Sequence, residues 1–155
     1  MNSPYDSSSA DPVVPASSVM PGPSLENLRL LVVDDERDSR LLLRRVLEAR
    51  GATVRVASSS DEAIQILSME PIHVLISDIG LPGEDGYAMM KRVRALPVLQ
   101  GGTVPAIALT AYTRSEDRSR AIRTGFHMHL SKPVETMELV VAIASMAKIR
   151  PLKSA

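Results

Sequence analysis

The sequence predicts an α/β fold: a three-layer (βα)5 architecture in which a doubly wound parallel sheet lies between two layers of helices. The first observation is that a short aliphatic run followed by an amphipathic stretch recurs five times after the first 25 residues. The second is that these runs are apolar on both faces, which is typical of parallel strands buried between helix layers. Right-handed crossovers between such strands produce a doubly wound sheet.

The first two βα units have clear strand and helix signals. The run LRLLVV at 28–33 is typical of a buried strand, and residues 38–50 repeat apolar side chains at helical spacing before Gly51 ends the helix. The aliphatic stretch at 53–57 predicts the second strand. Residues 61–69 predict the second helix, with Ser60 or Asp61 as its cap.

The third and fourth units follow the same pattern. The run IHVLIS at 72–77 predicts a strand, and residues 87–96 predict a helix after a loop that contains Pro and Gly. Two adjacent glycines then indicate a loop at 97–103. Residues 106–109 predict the fourth strand, and the polar, charged stretch at 115–124 predicts the fourth helix.

The last unit is a short strand at 128–131 and a helix at 135–148. In doubly wound sheets, ligands bind outside the carboxyl ends of the strands. The residues that follow each strand are therefore where we expect the chemistry of this protein.

Composition limits both the core and the partners. The chain has 155 residues, of which 45% are hydrophobic and only 3% aromatic, so one aliphatic core is expected. Lys plus Arg and Asp plus Glu number 18 each, and this zero net charge gives no electrostatic reason to expect nucleic acid or an anionic membrane as a partner. No Cys is present, which excludes disulfides and thiolate metal sites. A soluble, cytoplasmic protein is expected, since no apolar run reaches spanning length and no secretion signal is apparent.

The two ends of the chain differ from its middle. Residues 1–25 are rich in Ser and Pro and show no periodicity, which predicts a disordered tail or linker. Residues 26–150 are expected to form the folded domain. Residues 151–155 are expected to form a C-terminal tail.

Charged and hydroxyl side chains stand at four strand ends. Asp34 and Asp35 follow the first strand, Asp78 the third, Thr110 the fourth and Lys132 the fifth. An Asp in such a position is usually a helix cap or turn residue. Three carboxylates at one edge of a sheet, however, repel one another unless a cation intervenes. Oxygen ligands in this number suit Mg²⁺, which often bridges to phosphate.

A carboxylate beside Mg²⁺ and a lysine suits phosphoryl transfer. We expect Asp78 to attack phosphorus while the metal and Lys132 offset the charge that develops, and the Thr110 hydroxyl to donate to the phosphoryl group. Other nucleophilic motifs, GxSxG and GxxxxGK[ST], are absent. His127 and His129 have no third imidazole nearby in sequence, so a zinc site is not expected.

Four segments carry a resemblance to a known family. They are LLVVDDE, LISDIGLPGEDGY, PAIALTAY and HLSKP, in this order. With them, the chain from Leu28 to Met146 resembles the receiver domain of two-component response regulators. The resemblance implies a flavodoxin-like fold with strand order 2-1-3-4-5. It also implies a phosphorelay switch in which Asp78 accepts a phosphoryl group with Mg²⁺ or Mn²⁺.

The resemblance also implies the ligands of the site. Asp78 and Asp35 would bind the metal directly, Asp34 partly through water, and Gly80 through its backbone carbonyl. Thr110 and Lys132 would bind the phosphoryl oxygens, and the Lys132–Pro133 peptide bond would be cis.

Several positions are unusual for the family and tune the expected behaviour. His129 stands where many receivers carry the Tyr or Phe that switches together with the residue equivalent to Thr110. The segment GFHMHLSKPVE is similar to the corresponding segment in receivers of hybrid histidine kinases. Ala111 is small, as access to the phosphoryl group requires. Gly80 and Tyr112 occupy the two positions that tune autodephosphorylation, and Gly80 has no side chain to orient water, so a persistent phosphorylated form is expected.

Partners follow from the same resemblance. It implies a histidine kinase as donor, and output or homodimerisation through the fourth helix, fifth strand and fifth helix. Alternatively, the phosphoryl group passes onward to a histidine phosphotransfer protein. The protein is expected to catalyse only its own phosphoryl transfer and dephosphorylation, and thus not to be an enzyme in the ordinary sense.

Two alternatives remain. A pseudo-receiver that only binds proteins would be expected to lack acidic residues or the lysine, whereas all are present. A metal-dependent phosphatase would have a second acid two residues after its nucleophile, where Gly80 stands.

Overall fold

The protein is described by a computed structural model that covers residues 22–111 and 115–148. The strands are β1 (Arg29–Val33), β2 (Thr53–Ala57), β3 (Val74–Asp78), β4 (Ala106–Thr110) and β5 (Met128–Ser131). The helices are α1 (Arg37–Glu48), α2 (Ser60–Met69), α3 (Gly86–Arg94), α4 (Ser115–Thr124) and α5 (Thr136–Met146), with a short 3-10 turn at Val98–Gln100.

The five strands form one parallel sheet in the order β2-β1-β3-β4-β5. Both the doubly wound fold and the strand order expected from the sequence are thus confirmed. In the centre of the sheet, Leu30 of β1 is in register with Val54 of β2 and with Val74 of β3. The carboxyl ends of all five strands consequently lie at one edge.

Alternating side chains of the sheet build two apolar layers. Leu31 and Val33 of β1 point to the layer that α2, α3 and α4 cover, whereas Leu30 and Val32 point to the layer covered by α1 and α5. All four side chains are essentially inaccessible to solvent. Burial of such side chains is the main favourable term in folding, about 1.5–3 kcal/mol for each one.

Several element ends differ from the sequence expectation. The third strand extends one residue further than predicted, because Asp78 pairs with Leu109 in the ladder. The predicted caps of α2, Ser60 and Asp61, are wrong: both lie in its first turn, and Ser59 is the cap, with its side chain accepting from the Glu62 amide. An acid in a first turn still favours the helix through its dipole.

The described chain begins on the α1–α5 side of the sheet. Leu25 is completely buried, and its amide donates to the Arg50 carbonyl at 2.9 Å. Most of the expected tails, namely 1–21 and 151–155, lie outside the described residues. Among the helices that the structure describes, none has the length and apolarity needed to cross a membrane.

Candidate functional site

The carboxyl edge of the sheet brings together the side chains that the sequence singles out. β1 ends immediately before Asp34, β3 ends at Asp78, β4 ends at Thr110, and β5 ends immediately before Lys132. Each of these side chains is therefore positioned by the end of a strand that is paired within the sheet.

Asp34 is held in place on several sides. Its side chain is almost fully buried, and its Oδ1 accepts a hydrogen bond from the Glu36 amide at 2.9 Å. Its backbone carbonyl accepts from Arg40 Nη1 at 2.8 Å, and its amide donates to the Ala57 carbonyl at 3.1 Å. These bonds fix the carboxylate before any ligand arrives.

Three carboxylates and one ammonium meet at this edge. One oxygen from each of Asp34, Asp35 and Asp78 lies within 4.8 Å of the others. Lys132 Nζ is 3.1 Å from Asp78 Oδ2 and 3.8 Å from Asp34 Oδ2. Asp35 is exposed to solvent, so the cluster opens outward.

The surroundings of Asp34 fit a divalent cation. Burial raises the pKa of its carboxyl, the Glu36 amide and Lys132 lower that pKa, and the charges of Asp78 and Asp35 raise it again. Its Oδ2 is buried without a hydrogen-bond partner in the part of the chain that the structure describes. A carboxylate oxygen in this state costs about 1–3 kcal/mol unless a charge balances it, and a hard cation with oxygen ligands is suited to do so.

Asp78 is partly accessible and its position is set by its neighbours. Its Oδ1 accepts from the Gly80 amide at 3.2 Å, which leaves its Oδ2 beside Lys132. Behind it, the Gly86 amide donates to the Ile79 carbonyl at 2.8 Å. A Cβ on Gly86 would come within 2.7 Å of the Asp78 carbonyl oxygen, so only glycine permits this approach.

Thr110 and Lys132 are joined through the backbone. The Lys132 amide donates to the Thr110 carbonyl at 2.8 Å, and the Lys132–Pro133 peptide bond is cis. Thr110 is buried, in register with Ser131 of β5. The hydroxyl and the ammonium therefore belong to neighbouring strand ends.

The expected switch and modulating residues occupy different surroundings. His129 is half-buried, in register with Ala108, and strand alternation puts it on the same sheet face as Thr110, the face that α4 covers. Gly80 and Ala111 are exposed beside the site. Tyr112 lies outside the described residues.

Two histidines have structural roles. His73 Nδ1 accepts from the Arg29 amide at 2.9 Å, and His127 Nδ1 accepts from the Ala106 amide at 3.1 Å. Both therefore extend strand pairing at the amino edge of the sheet, away from the acidic cluster.

Two features near the site have no signal in the sequence. The Arg120 guanidinium lies 4.2 Å from the centre of the buried Tyr87 ring, and the Tyr87 hydroxyl donates to the Asp117 carbonyl at 3.4 Å, so α3 and α4 are tied together. The second feature is a cavity of about 560 Å³ between α1 and α5, with Asp34 and Lys132 in its wall. Both depend on the packing of elements that are distant in the chain.

Comparison with known families and sequences gives consistent matches. The model of the response regulator receiver domain matches residues 30–144. An uncharacterised 14.6 kDa protein of Leptolyngbya boryana is 49% identical over 117 residues, covering 76% of this chain and 88% of that protein. The sensor histidine kinase RcsC of Escherichia coli is 33% identical over 83% of this chain, which spans only 13% of the kinase.

Solved structures agree with these matches. A putative response regulator from Chloroflexus aurantiacus is 36% identical, with a TM-score of 0.72 over 78% of this chain and 98% of that one. The signal receiver domain of a signal transduction histidine kinase from Syntrophus aciditrophicus is 26% identical, with a TM-score of 0.70 over 82% and 96% of the two chains.

Proposed function

Because the chain belongs to the response regulator receiver domain family of two-component signalling, we propose that Asp78 accepts a phosphoryl group from a histidine kinase or a histidine phosphotransfer protein. This family is a regulatory phosphoacceptor domain and not a classical enzyme. The observation that carries the proposal is the position of Asp78 Oδ2, 3.1 Å from the Lys132 ammonium and beside two further carboxylates.

In the proposed reaction, a carboxylate oxygen of Asp78 attacks the phosphorus of a phosphohistidine. The new oxygen–phosphorus bond forms an acyl phosphate, the phosphorus–nitrogen bond breaks, and the imidazole nitrogen keeps the electron pair. Lys132 offsets negative charge on the phosphoryl oxygens, and the Thr110 hydroxyl donates a hydrogen bond to one of them.

The acidic cluster would hold Mg²⁺ or Mn²⁺ through Asp34, Asp35, Asp78 and the carbonyl of Gly80. When bound, the metal supplies positive charge that neutralises both the cluster and the incoming phosphoryl group. The fit is supported by the buried Oδ2 of Asp34, which has no hydrogen-bond partner among the described residues.

The signal is proposed to leave the site through Thr110 and His129. Both side chains belong to the sheet face that α4 covers, so movement of Thr110 toward the phosphoryl group would change the packing beneath α4. A polar His129 would replace the usual aromatic residue in this switch. The surface formed by α4, β5 and α5 is then the place where output partners bind.

The central experiment measures phosphoryl uptake by intact mass. The purified chain is incubated with acetyl phosphate and Mg²⁺, and we expect the mass of one phosphoryl group to be added. Asp78→Asn should add none. Asp85→Asn is the matched control: Asp85 caps α3 by accepting from the Ala88 amide at 2.9 Å, and this variant should still be modified. Lack of uptake by the unmodified chain would refute the proposal, as would equal uptake by Asp78→Asn.

The lifetime of the phosphorylated form depends on Gly80. This residue offers no side chain to orient an attacking water, and a Cβ added there would meet nothing closer than Asp78 Oδ1 at 4.0 Å. We expect slow decay in the purified chain. Gly80→Asn should shorten the lifetime by about threefold to tenfold, equivalent to ~0.7–1.4 kcal/mol in the barrier.

The decay is followed by intact mass after the phosphodonor is removed. Gly80→Ala adds only an apolar methyl group and should decay like the unmodified chain. A half-life of seconds for the unmodified chain would contradict the proposed persistence.

A further inference from the structure

An arginine on α3 joins two acidic side chains that come from different elements. Arg92 Nη1 donates to Asp61 Oδ1 at 2.9 Å and also forms an ion pair with Glu84 Oε1. Asp61 lies in the first turn of α2, whereas Glu84 lies in the β3–α3 loop, residues 79–85. The carboxylates of Asp61 and Glu84 both raise the pKa of Arg92. One guanidinium therefore connects α2, α3 and the β3–α3 loop.

Glu84 is also held through its backbone. The hydroxyl of Ser60, another residue in the first turn of α2, donates to the Glu84 carbonyl at 3.4 Å, and Ser60 is buried. The next residue, Asp85, caps α3 by accepting from the Ala88 amide at 2.9 Å. The end of the β3–α3 loop that adjoins α3 is therefore held both by the first turn of α2 and by α3 itself.

The other end of the β3–α3 loop adjoins the acidic cluster. The Ile79 carbonyl accepts from the Leu81 amide at 2.9 Å and from the Gly86 amide at 2.8 Å, which closes the loop at its base. Gly80, whose carbonyl we propose as a metal ligand, lies within this closed loop, and its amide donates to Asp78 Oδ1 at 3.2 Å. The position of the Gly80 carbonyl therefore depends on how the rest of the loop is held.

The middle of the β3–α3 loop is exposed. Leu81 is buried, but Pro82 and Gly83 are both exposed to solvent. Gly83 has a φ of +75°, and a Cβ added there would meet no atom within 4 Å. Glycine also loses more conformational freedom on folding than any other residue, so this stretch is costly to order. The contacts of Glu84, which follows it, therefore restrict the exposed stretch.

We propose that Arg92 is a positioning residue for the metal site. By tying Glu84 to α2 and α3, it keeps the β3–α3 loop in the conformation in which the Gly80 carbonyl serves as a ligand. The inference rests on the proposed function, since it requires that the acidic cluster holds Mg²⁺. Exposed ion pairs add little to stability, and the Arg92 side chain is 43% exposed, so its effect is expected in metal affinity and not in the free energy of unfolding.

The test measures Mg²⁺ affinity of the full chain by NMR titration of its backbone amide signals. Arg92→Gln should bind Mg²⁺ about threefold to tenfold more weakly, less than the roughly 10–100-fold cost of removing the direct hydrogen-bond partner of a metal ligand. Electrostatics alone predicts the opposite sign, because losing a positive charge strengthens the attraction of the chain for a cation. Arg92→Lys should restore most of the affinity, because a single nitrogen of Arg92 makes both contacts and an ammonium can replace it.

Two further variants separate the ion pair from the change of charge. Arg44→Gln is the matched control, because the Arg44 side chain is 45% exposed and bonds Glu48 within α1 at 3.2 Å. It removes the same charge from a similar pair and should leave Mg²⁺ affinity unchanged or slightly higher. The double variant E84Q/R92Q should bind Mg²⁺ within about twofold of Arg92→Gln alone, since both changes break the same contact.

Amide hydrogen exchange without metal gives a second readout. The amides of Leu81 and Gly86 should exchange faster in Arg92→Gln, whereas the amides of β1 should not change, and urea unfolding should give the same free energy for both proteins.

The outcomes distinguish this inference from the proposed function. Equal Mg²⁺ affinity in Arg92→Gln and the unmodified chain would overturn the role of Arg92 and leave the proposed function standing. Weaker binding accompanied by a fall in global stability and faster exchange in β1 would show a general structural role, which would also overturn the inference. An unmodified chain that binds no Mg²⁺ would refute the metal site and the inference together.

Discussion

Asp34 is a buried acid at the candidate metal site, and burying its carboxylate costs free energy of folding. Its Oδ1 has a partner in the Glu36 amide, whereas its Oδ2 depends on Lys132 at 3.8 Å. Burial raises the pKa of this carboxyl above the value it has in the unfolded chain. The folded state therefore binds more protons than the unfolded state between these two pKa values, and folding stability falls as the pH rises through that window.

We therefore expect Asp34→Asn to be more stable than the unmodified chain at neutral pH without metal. The amide oxygen keeps the bond from the Glu36 amide, while the uncompensated charge disappears. A gain of about 1–3 kcal/mol is expected. The gain should shrink as the pH falls through the raised pKa, because the native carboxyl then becomes neutral as well.

Urea unfolding in the presence of EDTA, at several pH values from neutral down to about 4, measures this difference. Mg²⁺ should stabilise the unmodified chain and have less effect on Asp34→Asn, since an ion that binds the folded state alone shifts the unfolding equilibrium. If Asp34→Asn is the less stable protein at neutral pH without metal, the buried carboxylate does not destabilise the folded state as the structure implies.

The contacts of some site residues can be predicted from the sequence, whereas those of others cannot. The meeting of Asp34, Asp78 and Lys132 could be predicted, because parallel strands must end at one edge. The hydrogen bonds that Glu36 and Arg40 donate to Asp34 could not be predicted, because they depend on how the first turn of α1 is placed relative to the carboxyl edge of the sheet. The roles of Thr110 and His129 in switching remain predictions.

At the level of elements, α3 determines where Asp78 stands. Gly86 is the first residue of this helix, and its amide donates to the Ile79 carbonyl, while a Cβ added there would lie against the Asp78 carbonyl oxygen. The sequence predicts a helix here from Tyr87 onward. It cannot show that the helix start and the strand end are too close for a side chain, since that distance is a property of tertiary packing.

Gly86→Ala is expected to destabilise the fold by about 1–3 kcal/mol, because its Cβ would lie 2.7 Å from the Asp78 carbonyl oxygen and 2.8 Å from Ile79 Cα. Alanine is the better helix former by up to about 1 kcal/mol, so without the clash the substitution would stabilise the protein. The sign of the change therefore decides whether the close approach is real.

Chemical denaturation gives the free energy of unfolding for this variant, and phosphoryl uptake should also slow because Asp78 moves. Gly80→Ala is the matched control, since its Cβ would come no closer than 4.0 Å to another side chain, and its stability should stay within about 0.5 kcal/mol of the unmodified chain. A Gly86→Ala protein that is as stable as the control would contradict the tight contact.

At the level of the whole molecule, the repeated βα pattern was enough to predict the fold class, and the family resemblance supplied the strand order. Burial of Leu25 had no signal, because one apolar residue in an irregular segment has no periodicity. The cavity of about 560 Å³ between α1 and α5 was equally hidden, since its lining residues come from elements that are distant in the chain. The hydrophobic pattern of the sequence thus predicts the layers of helices and strands, whereas cavities between packed elements can be found only in the structure.

The last expectation concerns how phosphorylation changes association of the whole chain. Ile122 of α4 is 52% exposed, which is unusual for a large aliphatic side chain beside several arginines. If output leaves through α4, β5 and α5, Ile122 is an exposed apolar side chain on one of the three elements that form the output surface. We expect phosphorylated chains to form more dimer than unmodified ones, and Ile122→Asp to abolish the increase by placing a charge in an apolar contact.

Sedimentation velocity with and without acetyl phosphate and Mg²⁺ measures the dimer fraction. Leu99→Asp serves as the matched control, because Leu99 is even more exposed but lies in the 3-10 turn after α3, outside α4, β5 and α5, so this variant should dimerise like the parent. Intact mass on the same samples shows whether Ile122→Asp still takes up phosphate, which separates a lost interface from a lost reaction. A phosphorylated parent that sediments like the unmodified chain would exclude dimerisation as the output and leave a heterologous partner as the receiver of the signal.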